Sequence, residues 1–385
     1  TYFDHIDRVE ATGRHTVTFF MKAYNAEWDY RFGWGYYSGI VPKEVVAAGP
    51  GNRKNVNGTG PFQLQEHVQA NSLVFTKNHP QVNFHYFTKN PVYWDSEKIG
   101  GVEHKLPFAD KITYRVIKDE STFITALRTA KLDLLESVRW SHHEDLKKRV
   151  PQIQWSRRLA NGGQFVALRM DQKPFDDIRV RRALNLAVNQ PEIAKAYYGG
   201  NAELIAWPMH PTYTGYFEPL EQMPDSVKEL FTYNPAKAKQ LLAEAGYPNG
   251  FTFKVQTSSA NTEGDLLQMV AAYLAKVGVK MEIQTLEYAA YFSAMMTRTN
   301  APGYFMFLGN TNPTTSLRKS FVKGQVWNPM QFADPEIDKM MAETYAEADE
   351  RVRQVKVRQM TRLVMEKAPV IFLPSAYVYT GWWPW

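Results

Sequence analysis

"KPFDDIRVRRALNLAVNQPEIAKAYYGG", residues 173–200, reads as a helix with a marked start and stop. Pro174 restrains the entry, and Asp176 or Asp177 can cap the first turn. Ile178, Ala183, Leu184, Ala187 and Val188 recur at helical spacing and predict the buried face. Arg179, Arg181 and Arg182 crowd the first turns, where the helix dipole disfavours cations. The carboxylates offset that placement, with Asp177 and Arg181 as an i,i+4 pair. The arginines either form a solvated, ion-paired face or pin this helix to a neighbouring segment.

On either side the chain alternates strands and helices. Upstream, "IDRVEATGRHTVTFFM" predicts a hairpin around Thr12–Gly13, and "RFGWGYYSGIVPKEVV" a glycine- and aromatic-rich loop running into a short helix. A turn cluster, "GPGNRKNVNGTGPFQLQEHVQANSLVFTKN", leads into two alternating strands. From residue 111, "KITYRVI", "ESTFITALRTA", "KLDLLES", "SHHEDLKKRV" and "IQWSRRL" read β-α-β-α-β and predict a parallel sheet. "GGQFVALRM" is a further strand before the opening helix. Downstream, "NPAKAKQLLAEAGY" carries Asn234 as N-cap, Pro235 at the first helical position and Gly246 at the C-terminal end. Strand "FTFKVQT", a helix stopped by Gly278, strand "VKMEIQTL", helix "EYAAYFSAMM" and strand "GYFMFLG" follow. Two charged amphipathic helices then precede a single strand, "VIFLPSAYVY", started by Pro369.

The 385 residues leave room for two or three domains, or for two lobes that share crossings. Aromatic content is 14%, and such side chains suit clefts for organic ligands as well as cores. The net charge of +6 is interleaved along the chain without a Lys/Arg block, which argues for solubility and against a nucleic-acid partner. With no cysteine there is no disulfide, thiolate metal site or cysteine nucleophile. No apolar run reaches the roughly 18 residues of a membrane span.

The helix at 173–200 resembles the signature of the peptide/nickel class of extracellular solute-binding proteins of ABC importers, the dipeptide- and oligopeptide-binding type. "NVNGTGPFQLQEH", "NPVYWD", "LPFADKITYRVIKDESTFITALRTAKLDLL", "YNPAKAKQLLAEAGYPNGF" and "FADPEIDKMMAE" are similar to family segments and fall in the family's order over nearly the whole chain. The resemblance implies an α/β, two-lobed periplasmic-binding-protein-like fold with a large second lobe. Lobe I (partial) would hold 1–164, lobe II 165–365, and 366–385 would return to lobe I. The N-terminal part of lobe I is expected to be missing, since the chain opens in mid-hairpin, and the last strands after "GWWPW" are expected to be cut short. The resemblance further implies a monomer, periplasmic or extracellular, with or without a lipid anchor. It would capture a peptide or similar small-molecule or oligomeric ligand between closing lobes and dock on a membrane permease, without cofactor, metal or catalysis.

Peptide-binding members carry a carboxylate after the strand that corresponds to "YFMFLG", where it takes the ligand's α-ammonium. Here "GNTNPTT" offers Asn310 and Asn312 instead. An amide hydrogen-bonds without the charge of the stronger pair, which leaves room for an oligosaccharide or an opine. Candidate ligand contacts are Trp34, Tyr36 and Tyr37 among three glycines, Trp207 in a proline-rich loop, Phe307 with Asn310 and Asn312 at a strand's carboxyl end, and Trp327. For each the plainer alternative is core or loop packing. Tyr288, Tyr291 and Phe292 read as core, and His142–His143 as a solvated face. "SLRK" puts Ser316 and Lys319 at Ser-x-x-Lys spacing, a serine acyl-transfer pattern without its companion motifs.

Overall fold

The computed structural model describes residues 3, 5–33, 39, 41–49, 61–68, 83–89, 93–117, 119–261 and 263–385. The chain divides into two compact units, Arg31–Thr129 and a larger one made of Thr1–Tyr30 with Ala130–Trp385.

The chain starts with the expected hairpin, β1 (Ile6–Gly13) and β2 (Thr16–Met21), followed by α1 (Trp28–Gly33). The smaller unit holds α2 (Lys43–Ala47) and an antiparallel sheet of β3 (Phe62–Val68), β4 (Asn83–Lys89) and β7 (Lys111–Val116), with β4 central. It also holds the hairpin β5 (Ser96–Ile99) and β6 (Val102–Lys105), and it closes on α3 (Glu120–Arg128), capped by Asp119. The second strand expected in the turn cluster lies outside the described residues.

In the larger unit, β8 (Leu134–Val138), α4 (Trp140–Arg149) and β9 (Gln154–Leu159) form where their patterns place them, but the parallel sheet does not. The C-terminal strand β16 (Ser375–Trp382) pairs antiparallel with β8 and with β9, so it lies between them. Local order gave the right mutual direction of β8 and β9; a strand more than 200 residues later in the chain fills the gap. β7, the first strand of the supposed series, pairs with β4 instead.

The main sheet has five strands in the order β13-β12-β14-β10-β15. β12 (Thr252–Ser258) runs parallel to β13 (Lys280–Leu286) and β14 (Gly303–Gly309), whereas β10 (Gly162–Leu168) runs antiparallel to β14 and to β15 (Val370–Phe372). Successive residues point to opposite faces, and both faces are buried. Phe165, Tyr304 and Met306 join Trp207, Phe321 and Met360 on one face. Val166, Val255 and Phe305 pack on the other face against α5 (Ile178–Ala187) and α9 (Gly264–Ala275). The remaining α-helices and strands are α6 (Gln190–Glu192), β11 (Ala202–Glu203), α7 (Asp225–Lys228), α8 (Pro235–Glu244), α10 (Tyr288–Met296), α11 (Pro313–Phe321), α12 (Pro335–Ala346) and α13 (Glu350–Glu366), with a π-helical turn at Ile193–Tyr197 and 3-10 turns at Leu220–Gln222 and Glu229–Phe231.

Two local expectations need correcting. "VIFLPSAYVY" is two strands in different sheets, β15 and β16, because the chain leaves the main sheet at Leu373–Pro374 and proline offers no N–H to a ladder. Helix α11 was not anticipated, although Asn312 caps it and Pro313 starts it, the same chemistry that marks α8 at Asn234–Pro235.

Helix α5 resolves the arginine question. Asp177 is the N-cap, accepting from the Arg179 N–H, and its ion pair is with Arg179 rather than Arg181. Ile178 is exposed, and Val180 takes a place on the buried face. Arg181 is 3% exposed and donates to the carbonyls of Phe175, Asp176 and Lys367. Arg182 donates to the carbonyls of Glu366 and Ser226 and pairs with Glu229. The carbonyls of Glu366 and Lys367 are orphan acceptors at the C-terminal end of α13, where cations are favoured. The arginines that suit their own helix badly therefore cap another. Further along α5 the buried Asn185 amide donates to the Val370 carbonyl and accepts from the Phe372 N–H, and Gln190 donates to the Phe372 carbonyl. These amides satisfy the outer edge of β15, which among the described residues pairs only with β10.

Candidate functional site

β12 and β14 end, and β10 begins, at one edge of the main sheet. Open α/β sheets bind ligands beyond such carboxyl ends. Backbone approaches here are close. A Cβ on Gly162 (φ +156°) would lie 2.4 Å from the Leu308 carbonyl oxygen, and one on Gly163 would lie 2.7 Å from the Trp207 Cβ.

Trp207 fits into the space those glycines leave. It is 4% exposed, stacked on Phe165 with centroids 4.2 Å apart and tilted against Phe321. Its indole N–H donates to nothing among the described residues. Asn310 is also buried; its amide Nδ2 donates to the Ala206 carbonyl, next to Trp207, and its Oδ1 accepts no hydrogen bond among the described residues. The backbone there is fixed from both sides, by Asn310 N–H to the Asn161 carbonyl at 3.0 Å and by Asn161 Nδ2 to the Asn310 carbonyl at 3.2 Å. Buried polar groups without partners are uncommon, so Trp207 and Asn310 are a pair of unused hydrogen-bonding groups at the sheet edge.

The other candidates are placed differently. Asn312 is occupied as the N-cap of α11, accepting from the Thr315 N–H and the Thr314 hydroxyl. Phe307 is paired with Gln164 across the ladder and is 47% exposed, on the face of the sheet opposite Trp207. Trp327 is half-buried, edge-on to Phe292 of α10. Trp34, Tyr36 and Tyr37 lie outside the described residues. Tyr291 is core as expected, while Tyr288 is exposed. His143 is not on a solvated face: it stacks on Tyr379 at 3.9 Å and meets the edge of Trp155, and burial pushes its pKa down.

The acyl-transfer pattern fails on burial. Ser316 is fully enclosed and its Oγ accepts from the Thr311 N–H, out of reach of an acyl donor. Lys319 donates instead to the Gly309 carbonyl at the end of β14. Burial pushes its ammonium from 10.5 down to about 8. Between those values the unfolded chain holds more protons than the folded one, so stability rises with pH across that window, and the full cost of burying the charge is present below it. From pH 7.5 to 9.5, below tyrosine ionisation, thermal unfolding of the wild type should therefore shift upward relative to Lys319→Met. Parallel curves for the two proteins would remove the effect. Sequence reasoning also missed Glu27, a buried carboxylate accepting from the Thr315 and Tyr345 hydroxyls with Arg318 Nε at 3.8 Å. Its partners stand about 290 to 320 residues away, so nothing local announces it.

Heme-binding protein A of Haemophilus influenzae is 28% identical over 279 residues, 70% of this chain and 48% of that protein. The glutathione-binding protein GsiB of Escherichia coli K12 is 30% identical over 231 residues, 60% of this chain and 39% of that protein. The matched part thus spans about half or less of these relatives' length. Among solved structures, the periplasmic binding protein DppA from Helicobacter pylori, in complex with the peptide STSA, superposes with a TM-score of 0.80 at 23% identity, covering 98% of this chain and 70% of that one, and so shares its fold. With residues 1–326 matched by the model of the bacterial extracellular solute-binding proteins, family 5 (middle), the chain belongs to that family.

Proposed function

We propose that this chain is the capturing part of a substrate-binding component of an ABC importer, outside the cytoplasm, which holds a peptide-like solute at the carboxyl edge of the main sheet and passes it to a membrane permease unaltered. The observation that carries the reading is the pair of buried, unused polar atoms at that edge, Trp207 Nε1 and Asn310 Oδ1, in a chain of this family. Lobes divided at 164/165 and 365/366, and Trp34, Tyr36, Tyr37, Phe307, Asn312 and Trp327 as further contacts, belong to the same proposal.

Glutathione and a four-residue peptide in the names of similar proteins favour peptide-like solutes over an oligosaccharide. Asn310 and Asn312 in place of a carboxylate favour, as a second reading, solutes such as opines that present no free α-ammonium at this point. Thermal unfolding in the presence of glutathione, dipeptides and tetrapeptides tests the proposal. A solute at 100 times its Kd should stabilise the protein by about 2.7 kcal/mol, and it should be recovered with unchanged mass. No shift across the panel, or recovery of a cleaved product, would overturn it.

A further inference from the structure

Lys319 carries a charge that its structural task does not need. β12 reaches β14 only at Gly303 and Tyr304, so beyond Tyr304 that edge of β14 has no strand partner among the described residues. Side chains serve its carbonyls instead. The Tyr291 hydroxyl donates to the Phe305 carbonyl at 2.9 Å, and the Lys319 ammonium donates to the Gly309 carbonyl. A neutral hydroxyl suffices for the first, whereas the second takes a cation. An ammonium has three donors, and among the described residues that of Lys319 has no further hydrogen bond and no ion pair. Glu27, the buried carboxylate that meets α11, is taken by the Thr315 and Tyr345 hydroxyls and faces Arg318. Burial first, and then the Arg318 charge, pushes the Lys319 ammonium down to about 8, the mark of a cation held without compensation. Bare donors stand on the same side. Trp207, whose Nε1 is unused, packs on Phe321 of the same helix, α11, and Thr311 Oγ1, two residues past Gly309, has no partner among the described residues.

We propose that Lys319 sets the charge preference of the sheet-edge site, selecting a solute that presents a carboxylate at the Gly309–Thr311 end of β14. The inference rests on the capture reading of that edge and deepens it. A carboxylate is acceptor-only, so it suits the spare donors of Lys319, Trp207 and Thr311, and with the ammonium it forms a charge-assisted bond. Lys319 is half-buried, which leaves it open to a solute. A solute ammonium at the same point would meet a like charge, and a neutral hydroxyl would leave the Lys319 charge uncompensated.

N-acetyl-dialanine, its neutral C-terminal amide and the cationic dialanine amide, titrated calorimetrically against the whole chain at pH 7, test it. The acid is expected to bind at least tenfold tighter than its amide, and dialanine amide no tighter than that neutral amide. In Lys319→Met the acid's preference should fall below about twofold. Equal affinity of acid and amide, tighter binding of the cation, or a preference that survives in Lys319→Met overturns the proposal and leaves the capture reading standing. Should Lys319→Met fail to fold, the wild-type ratio of acid to amide decides alone. Binding of none of the three overturns the proposal; with no unfolding shift across the peptide panel either, the capture reading falls with it.

Discussion

Replacing Arg181 by Met is expected to remove about 3–5 kcal/mol of stability, far more than the same change at the half-exposed Arg179. The guanidinium is a buried charge whose partners are three carbonyls, and burial pushes its pKa down to about 10, still charged at neutral pH. Without it the Lys367 and Phe175 carbonyls lose their donors inside the protein, and each buried acceptor left bare costs roughly 1–3 kcal/mol. Arg179→Met is the internal control. That side chain is half exposed and pairs with Asp177 at the surface, a bridge worth about 0–1 kcal/mol. Arg181→Lys separates charge from shape, since one ammonium cannot serve acceptors on both sides as the fork does. Urea unfolding of the three variants measures the differences, and a loss below about 1 kcal/mol for Arg181→Met would show that water replaces the guanidinium.

The same residues show what a sequence conveys and what it withholds. Helices such as α8 and α5 were legible because their ends are marked by chemistry acting over three or four residues: Asn234 and Asp177 as caps, Gly246 beyond the end. Four of the five strands of the main sheet were legible from local pattern as well, whereas β15 read as one strand with β16. Partners were not. Nothing in 134–159 says that β16 will lie between β8 and β9, and nothing in the period of α5 says that Arg181 will serve a carbonyl 186 residues on. Helical periodicity sorts residues by polarity, so it put Ile178 on the buried face, where it is not, and left the arginines either a solvated face or a neighbouring segment to pin; Arg181 takes the second place. A polar residue goes inside when a distant backbone needs it, and that need is tertiary. The candidate site follows the same rule. The position of Asn310 at a strand's carboxyl end was readable, whereas its bond to Ala206 and the buried carboxylate Glu27 depend on segments that meet only in the fold.

Trp207 separates packing from recognition. Trp207→Ala should cost about 3–5 kcal/mol, the range for deleting a buried large aromatic side chain, because it empties the space between Phe165, Phe321 and the glycine at 163. Trp207→Phe keeps most of that contact and removes the indole N–H. Since that N–H donates to nothing among the described residues, its removal should cost stability only the small volume lost, below about 1.5 kcal/mol. Solute affinity should respond in the opposite proportion. If Nε1 is held bare to meet a solute acceptor at the sheet edge, Trp207→Phe loses that bond and binding weakens by roughly 1–3 kcal/mol, about 5- to 150-fold. Thermal unfolding and calorimetric titration of the same two variants provide both numbers. A Trp207→Phe protein that binds its solute as tightly as the wild type would make Trp207 a core residue alone, and Asn310 would then be left as the one unused polar group of that pair.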